Sequence, residues 1–214
     1  MTTVLSEPIS DVELLERWAA GCRDAGGELF ERHFDSLLRF FQNKVDHAVE
    51  DLVQQTMLAC VEGRERFRRD ASFRTYLFQT ARHLLYAHYR SRPRSGDLDF
   101  ELASVADLGT SPTSALARKE QHRYLFEALQ RIPLQYQIVL ELRLWEDLSG
   151  AEMATILDLP EPTLRSRLRL AAEKLKAQMQ ALGGCGELLH PSIVDFEGWA
   201  ARIRTTLHAA RVEP

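Results

Sequence analysis

The stretch from Ser149 to Lys176, SGAEMATILDLPEPTLRSRLRLAAEKLK, constrains the fold of this chain more than any other. Ser149 is followed three residues later by Glu152, which forms a capping box and predicts that a helix begins there. Pro162 fits the first turn of a second helix, where a missing N–H is tolerated, so a tight turn is expected at 158–161. Two short helices joined in this way, the second rich in arginine, are typical of a helix-turn-helix, whose second helix enters the major groove of DNA.

The second helix of this motif has one apolar side and one basic side. Leu164, Leu168, Ala171 and Leu175 form a single stripe that we expect to be buried. An ordinary amphipathic helix with a solvated basic face is the alternative, but the capping box, turn and proline together favour DNA binding. The first turns of such a helix reach base edges and the remaining cations meet phosphate. We expect base contacts from Thr163, Arg165, Ser166 and Arg169, and phosphate contacts from Arg167, Lys174 and Lys176.

A second basic segment lies some 80 residues earlier, and it gives the chain a strongly segregated charge. The net charge is −4, yet residues 63–94 carry nine arginines against two acids, whereas residues 1–62 carry twelve acids against five bases. This distribution indicates one face that meets phosphate and another that does not.

Aromatic residues are interleaved with these arginines, namely Phe67, Phe73, Tyr76, Phe78, Tyr86 and Tyr89. Such pairing holds single-stranded nucleic acid, because arginine follows the backbone while rings stack on bases. The loop Arg66 to Ser72 is the better candidate for contact, since it precedes a helix N-terminus. The alternative is that the rings are core. The spacing of Tyr76, Leu77, Thr80, Leu84 and Ala87 resembles a core stripe, which favours burial for at least Tyr76 and Phe73.

The whole chain is predicted to be all-α, because strand alternation and hairpin dipeptides are missing. Gly26-Gly27 is expected to break the first pair of helices, and Gly183-Gly184 to end the helix before it. The helices are predicted at 11–22, 27–45, 48–63, 72–91, 113–131, 133–146, 149–158, 162–182 and 194–211. The domain map is 1–92, a flexible linker at 93–112 with proline, glycine and acids, 113–182, and a C-terminal extension at 183–214.

The predicted helix at 48–63 has two different faces. Val49, Leu52, Val53, Thr56 and Cys60 share one side, which we expect to be core, with Cys60 as a structural thiol. On the other side Leu58 and Val61 lie among Glu50, Asp51 and Gln54. This mixed patch predicts either a docking site for a protein partner or packing against the helix at 27–45.

The helix at 48–63, the basic aromatic segment after it and the helix-turn-helix, in this order along the chain, resemble an extracytoplasmic-function (ECF) sigma factor of bacterial RNA polymerase. VEDLVQQTMLACVEGRERFRRDASFRTYLFQTARHLLYAHYRSR is similar to the family's region 2, and LQRIPLQYQIVLELRLWEDLSGAEMATILDLPEPTLRSRLRLAAEKLK is similar to its region 4. The resemblance implies a region 2-like helical bundle and a region 4-like helix-turn-helix. It also implies core RNA polymerase, promoter DNA and an anti-sigma factor as partners.

The resemblance also implies how the surfaces divide the work. The helix at 48–63 would bind polymerase, and the 66–72 loop with the following helix would melt the minus-ten element and hold its non-template strand. The helix-turn-helix would read the minus-thirty-five element as duplex. The implied polymerase-binding residues are Glu50, Asp51, Gln54, Gln55 and Leu58. The implied minus-ten residues are Arg66, Phe67, Arg68, Arg69, Ser72, Arg74, His83, Tyr86 and Arg90.

Other functions have less support in the sequence. A DNA-binding regulator that uses only the helix-turn-helix is the alternative, and a single-strand surface argues against it. No metalloprotease motif, phosphate loop or nucleophile elbow indicates an enzyme, so no catalytic residue, metal site or cofactor is predicted. Cys185 with His190 supplies too few ligands for a metal. Three scattered cysteines and the absence of a signal or membrane-spanning segment predict a cytoplasmic protein without membrane insertion.

The C-terminal extension lies outside the resemblance. Phe196, Trp199, Ile203 and Leu207 would form one apolar stripe on a short helix, which needs a partner surface to be stable. It is predicted either to dock on one of the two domains and regulate polymerase binding, or to serve as a passive end-cap.

Overall fold

The computed structural model describes residues 9–63, 71–91, 103–108 and 120–183. Within these ranges the chain is helical, and the β-type pairing is a single isolated bridge between Ser104 and Pro133. The prediction of an all-α fold is therefore confirmed. The helices are α1 (Asp11–Ala19), α2 (Arg23–Gln42), α3 (Val49–Gly63), α4 (Phe73–Arg90), α5 (Glu120–Gln130), α6 (Leu134–Leu144), α7 (Gly150–Leu157) and α8 (Glu161–Ala181).

The break between the first two helices lies earlier than predicted. It falls at Gly21, whose φ of 98° suits glycine, and α2 begins at Arg23, so the prediction of a break at Gly26-Gly27 was wrong. Gly26 instead provides room inside the helix, because a Cβ there would lie 2.5 Å from Cδ1 of Trp18. The close packing of α1 against α2, rather than a turn, therefore explains why a glycine is needed at position 26.

Helices α1–α4, called the N-terminal bundle below, enclose an aromatic core. The rings of Trp18, Phe30 and Phe73 meet edge to face, with centroids 5.6 to 6.0 Å apart. Leu29 and Leu77 are also fully buried in this core. The helices of the bundle are thus held by one shared cluster of large side chains.

Helices α5–α8, called the C-terminal bundle below, have a second core in which α5 and α8 pack together through Leu125, Leu129 and Leu175. Helix α6 takes part in both cores. Leu140 and Leu144 belong to the second core, whereas Ile138 and Leu142 belong to the first. The two bundles therefore lie directly against each other.

Part of the predicted linker lies against the C-terminal bundle. The amide of Leu134 donates to the carbonyl of Ala103 at 2.9 Å, and the amide of Ala106 donates to the carbonyl of Gln130 at 3.1 Å. Val105 is fully buried. Residues 103–108 are thus bound to the junction between α5 and α6, while the predicted helical residues 113–119 and 194–211 lie outside the described residues.

None of the helices in the described part of the chain combines the length and apolar character needed to cross a membrane.

The close contact at Gly26 makes a testable difference between two adjacent glycines. Gly26→Ala should lower the free energy of unfolding by about 1–3 kcal/mol, because the new methyl group would displace the packed ring of Trp18. Gly27→Ala is the matched control, since nothing lies within 4 Å of its added Cβ. It should be neutral or stabilise by about 0.5 kcal/mol. Urea unfolding measures both, and equal stabilities would contradict this packing.

Candidate nucleic-acid and protein interfaces

The helix-turn-helix is built as its local sequence predicts. Oγ of Ser149 accepts from the amide of Glu152 at 3.2 Å, and the Glu152 carboxylate accepts from the amide of Ser149 at 2.9 Å, which completes the capping box. Asp158 ends α7 in the left-handed conformation, with φ of 55°. This conformation turns the chain sharply, so α8 starts three residues later at Glu161 with Pro162 in its first turn.

The predicted buried and exposed sides of α8 are both present. Leu164, Ala171 and Leu175 are buried and Leu168 is half-buried. The hydroxyl of Ser166 donates to the carbonyl of Pro162 at 3.2 Å, so it has an acceptor inside its own helix. The four residues expected to contact bases are all exposed on the first turns of α8, namely Thr163, Arg165, Ser166 and Arg169.

The residues expected to meet phosphate differ in their surroundings. Lys174 is exposed, and its ammonium group lies 5.5 Å from the centroid of the Tyr136 ring. Arg167 is half-buried and lies close enough to Arg82 of α4 for the two charges to interact. The basic end of α8 therefore adjoins the basic face of α4.

Helix α4 divides its aromatic residues between core and surface. Phe73 is buried as expected, and Tyr76 is half-buried against the core. The full stripe differs from the prediction, because Ala87 is exposed and Tyr89 is fully buried. Tyr89 follows the alternative that the rings are core, because its hydroxyl donates to the carbonyl of Lys44 inside the protein. Phe78 is also completely buried, so it is a core residue too.

The predicted minus-ten residues that the structure describes are Ser72, just before α4, and four residues on α4, namely Arg74, His83, Tyr86 and Arg90. Ser72 caps α4 by accepting from the amide of Thr75 at 3.1 Å. Tyr86 is half-buried, and its carbonyl accepts from Nε of the exposed Arg90 at 3.2 Å. Arg66, Phe67, Arg68 and Arg69 lie outside the described residues.

His83 is exposed on the same face, next to Arg82. The ring is covered on one side only, and this partial burial lowers the pKa of His83; the charges of Arg82 and Arg90 lower it further, while Asp158 opposes them. The imidazole is thus neutral at pH 7, so it can donate or accept a hydrogen bond but adds no positive charge.

Helix α3 presents an exposed face that fits a protein partner. Its predicted core residues Val49, Leu52, Val53, Thr56 and Cys60 are all buried. Leu58 keeps 55% of its surface exposed and Val61 keeps 39%, so the alternative that they pack against the preceding helix is wrong. Around them the predicted polymerase-binding side chains are exposed too: Glu50, Asp51, Gln54 and Gln55.

A groove of about 260 Å³ runs between α3 and α4 beside this face. Asp51 and Gln55 line it from α3, and Leu84 and His88 line it from α4. The exposed face of α3 therefore continues into a concave surface rather than a flat one. In the described part of the chain no three His, Cys, Asp or Glu side chains are grouped so that they could hold a metal ion.

Sequence reasoning missed the polar contacts between the two bundles. Lys44 is fully buried and forms an ion pair with Glu141 of α6. Burial lowers the pKa of Lys44 and raises that of Glu141, and the attraction between the two charges opposes both shifts. Nε2 of Gln137 donates to the carbonyl of Asn43 at 3.1 Å and to Glu141 at 2.8 Å. The sequence did contain one signal of a buried ion pair, because the charged Glu141 lies between Leu140 and Leu142 in an apolar run.

Family comparison agrees with this architecture. The family model for sigma-70 region 2 matches residues 29–95, and that for sigma-70 region 4 matches residues 122–175, together more than half of the chain. The ECF RNA polymerase sigma-E factors of Haemophilus influenzae and Escherichia coli K12 are both 29% identical over 189 residues. This alignment covers 83% of the present chain and 100% and 98% of those relatives, respectively.

A solved structure, that of CnrH in complex with the cytosolic domain of CnrY, has the same fold. Its TM-score is 0.60 at 24% identity, over 80% of the present chain and 97% of the other. The chain belongs to the sigma-70 family of RNA polymerase sigma factors, in its extracytoplasmic-function group. It is a transcription initiation factor that directs polymerase to promoters.

The two cysteines in the described ranges should differ sharply in reactivity. Burial on the inner side of α3 raises the pKa of the Cys60 thiol to about 12, whereas Cys22 is exposed. Iodoacetamide at pH 7.5 should modify Cys22 in the native protein and leave Cys60 unmodified until denaturant is added. Peptide mapping by mass spectrometry measures this, and early modification of Cys60 would contradict a tightly packed α3.

Proposed function

We propose that this chain contacts polymerase and promoter through three separate helices. Helix α3 binds core RNA polymerase through Glu50, Asp51, Gln54, Gln55 and Leu58. Helix α4 and the loop before it hold the non-template strand of the minus-ten element, and α8 reads the minus-thirty-five element as duplex. The observation that carries this division is the exposed apolar Leu58 in the polar face of α3, set apart from the basic residues on α4 and α8.

The physical basis differs between the two DNA contacts. Duplex is read by a helix in the major groove, and the exposed arginines at the start of α8 suit the acceptor atoms of guanine. Melted DNA requires bases to leave the stack, at a cost of a few kcal/mol that capture of a flipped base offsets. The arginines of α4 and the 66–69 segment supply the charge that keeps the separated strand bound.

The remaining assignments follow the same division. We infer domain boundaries at 1–92, 93–112, 113–182 and 183–214; the region 2 match ends at 95, and the region 4 match, 122–175, lies inside the third segment. The chain supplies no chemistry of its own, since polymerase makes the RNA, and it acts in the cytoplasm with polymerase.

CnrH is held in its solved structure by the cytosolic domain of CnrY. We propose that an anti-sigma factor likewise binds this chain and prevents it from binding polymerase.

Transcription from a genomic template tests the proposal directly. The purified chain is added to core polymerase that is free of other sigma factors, with sheared DNA of the source organism, and the 5′ ends of the transcripts are sequenced. We expect start sites that share one upstream and one downstream element. A regulator that uses only its helix-turn-helix would bind duplex DNA and yield no new start sites, and that result would reject the proposal.

Removing one side chain of α8 should affect promoter reading alone. Arg169→Ala should weaken binding of the holoenzyme to the upstream element by about five- to hundredfold, as expected when a good base contact is lost. Affinity for core polymerase should not change. Arg131→Ala is the matched control, because Arg131 is an exposed arginine just after the end of α5, and its partner is Glu127 at 2.6 Å. A loss of core-polymerase affinity in Arg169→Ala would contradict the assignment of this face.

A charge on the exposed face of α3 should affect polymerase binding alone. Leu58→Glu should weaken the affinity for core polymerase by about tenfold or more, because an apolar anchor is replaced by a carboxylate. Stability should be unchanged, since Leu58 is mostly exposed. Val12→Glu on α1 is the control, because Val12 is also an apolar residue, 67% exposed. Equal affinities of the two variants, measured by fluorescence anisotropy, would place the polymerase contact elsewhere.

A further inference from the structure

Three exposed apolar side chains lie on the outer side of the N-terminal bundle. Leu58 and Val61 are about one turn apart on the exposed face of α3. Phe34 of α2 is 41% exposed, although it is a large aromatic residue. These three side chains are called the apolar patch below. In the described part of the chain the other exposed large apolar residues are Val12 and Leu170, each on a different helix.

Phe34 and Leu58 lie at the same height on neighbouring helices. Helices α2 and α3 pack on each other and are joined by the short segment 43–48, so they run antiparallel. Phe34 lies eight residues before Gln42, where α2 ends, and Leu58 lies nine residues after Val49, where α3 begins. At about 1.5 Å per residue, both are about 12 to 14 Å from the connection.

The rotation of α2 turns Phe34 toward α3. Arg32 and Arg39 share the opposite line of α2, where Arg32 contacts Asp11 of α1 and Arg39 contacts Glu146 of the C-terminal bundle. Phe34 follows Arg32 by two positions, which is a rotation of about 200°. It therefore lies on the side of α2 that α1 and the C-terminal bundle leave to α3, next to the other members of the apolar patch.

The charge around the apolar patch is negative. Glu50, Asp51 and Glu62 are exposed on α3, and this helix contains no lysine or arginine. The basic residues of the described chain are instead concentrated on α4 and α8. An amphipathic helix with cations beside its apolar stripe therefore fits α3 by charge, and the basic faces of α4 and α8 would repel it.

The C-terminal extension carries such a sequence. Its predicted helix at 194–211, called the tail helix below, lies outside the described residues and beyond the region 4 match, which ends at 175. On a helix its large apolar side chains share one stripe, with Arg202 along one flank and Arg204 and Arg211 along the other. A stripe on so short a helix needs an apolar partner surface to be stable.

The remaining charges and the connection agree with this match. Asp195 and Glu197 belong to the first turn of the tail helix, and its later charged residues are basic. Residues 184–195 form a tether that extends at most about 45 Å. A compact chain of this length is about 45 Å across, so the tether allows the tail helix to reach α3. A tether this short gives an effective concentration on the order of millimolar, at which even a weak contact is populated.

We propose that the tail helix docks on the apolar patch and competes with core RNA polymerase for Leu58. Its apolar stripe covers the patch, and its flanking arginines meet the acids of α3. The polymerase-binding face is then free in only a fraction of the molecules, and the affinity for polymerase falls by that fraction. This inference rests on the proposed function of α3.

A pair of substitutions in the full chain, Trp199→Glu with Ile203→Glu, tests the docking. It places two carboxylates in the apolar stripe, so the tail helix should leave α3. Ala201→Glu with Thr205→Glu is the matched control, because it adds the same charges at the same spacing on the opposite side of the tail helix. The control should leave the docking intact.

The methyl NMR resonances of Leu58 and Val61 report the docking without polymerase. They should move in Trp199→Glu with Ile203→Glu, because the Trp199 ring leaves their surroundings, and stay in place in the control. Movement confined to methyl groups of the C-terminal bundle would make the tail helix a passive end-cap and overturn the proposal. Wild-type shifts that change with protein concentration would place the tail helix of a second copy on α3, which also overturns it.

Affinity for core polymerase, measured by fluorescence anisotropy, tests the competition. It should rise by about three- to tenfold in Trp199→Glu with Ile203→Glu and stay unchanged in the control, because only the first variant frees α3 in every molecule. If the first variant loses helical circular dichroism from the two bundles, Trp199→Ala with Ile203→Ala replaces it, since this pair removes the stripe without adding charge. Equal affinities of the stripe variant and the control would overturn the competition.

The variant Leu58→Glu keeps the two proposals separate. If it binds polymerase as tightly as Val12→Glu, while the methyl resonance of Val61 still responds to the stripe variant, the proposed function of α3 is overturned and the docking stands. If Leu58→Glu loses polymerase affinity, while the methyl resonances of the wild-type chain and the stripe variant coincide, the docking alone is overturned.

Discussion

The burial of α6 between two cores is the constraint on which the rest of the structure depends. Leu140 and Leu144 pack toward α5 and α8, whereas Ile138 and Leu142 pack toward the N-terminal bundle. A helix that is covered on all sides cannot leave a charge unpaired. Glu141 must therefore meet Lys44, and Gln137 must bridge to Asn43. These pairings fix the rotation of α6, and with it the direction in which α7 and α8 leave.

That rotation decides which surfaces stay free. The first turns of α8 remain exposed, so the predicted base-reading residues can reach a duplex. The exposed face of α3, centred on Leu58, lies on a helix that packs mainly on α2 and α4. By contrast, α4 faces α7, and its arginines are used inside the protein. Two of the three proposed surfaces are thus open in this arrangement, and one is partly covered.

Local sequence signals made much of the helix-turn-helix and of the surface of α3 predictable. The capping box at Ser149 and the apolar stripe of α8 act within one or two helical turns, so they can be read from spacing alone. The faces of α3 were predictable for the same reason. Gly26 was misread, and Tyr89 could not be assigned to core or surface, because their roles depend on distant partners: Gly26 makes room for Trp18, and Tyr89 donates to the carbonyl of Lys44. Spacing carries no information about such partners.

The contacts between bundles were the least predictable, for a physical reason. An arginine that suits phosphate equally suits a carboxylate or a helix C-terminus, so composition alone assigns Arg74 and Arg82 to nucleic acid. Only the fold shows that Glu146 and Leu157 come within hydrogen-bond distance of them. A cluster of unpaired arginines in a free chain would repel itself and bind nucleic acid indiscriminately. Internal acceptors reduce both effects without removing the arginines.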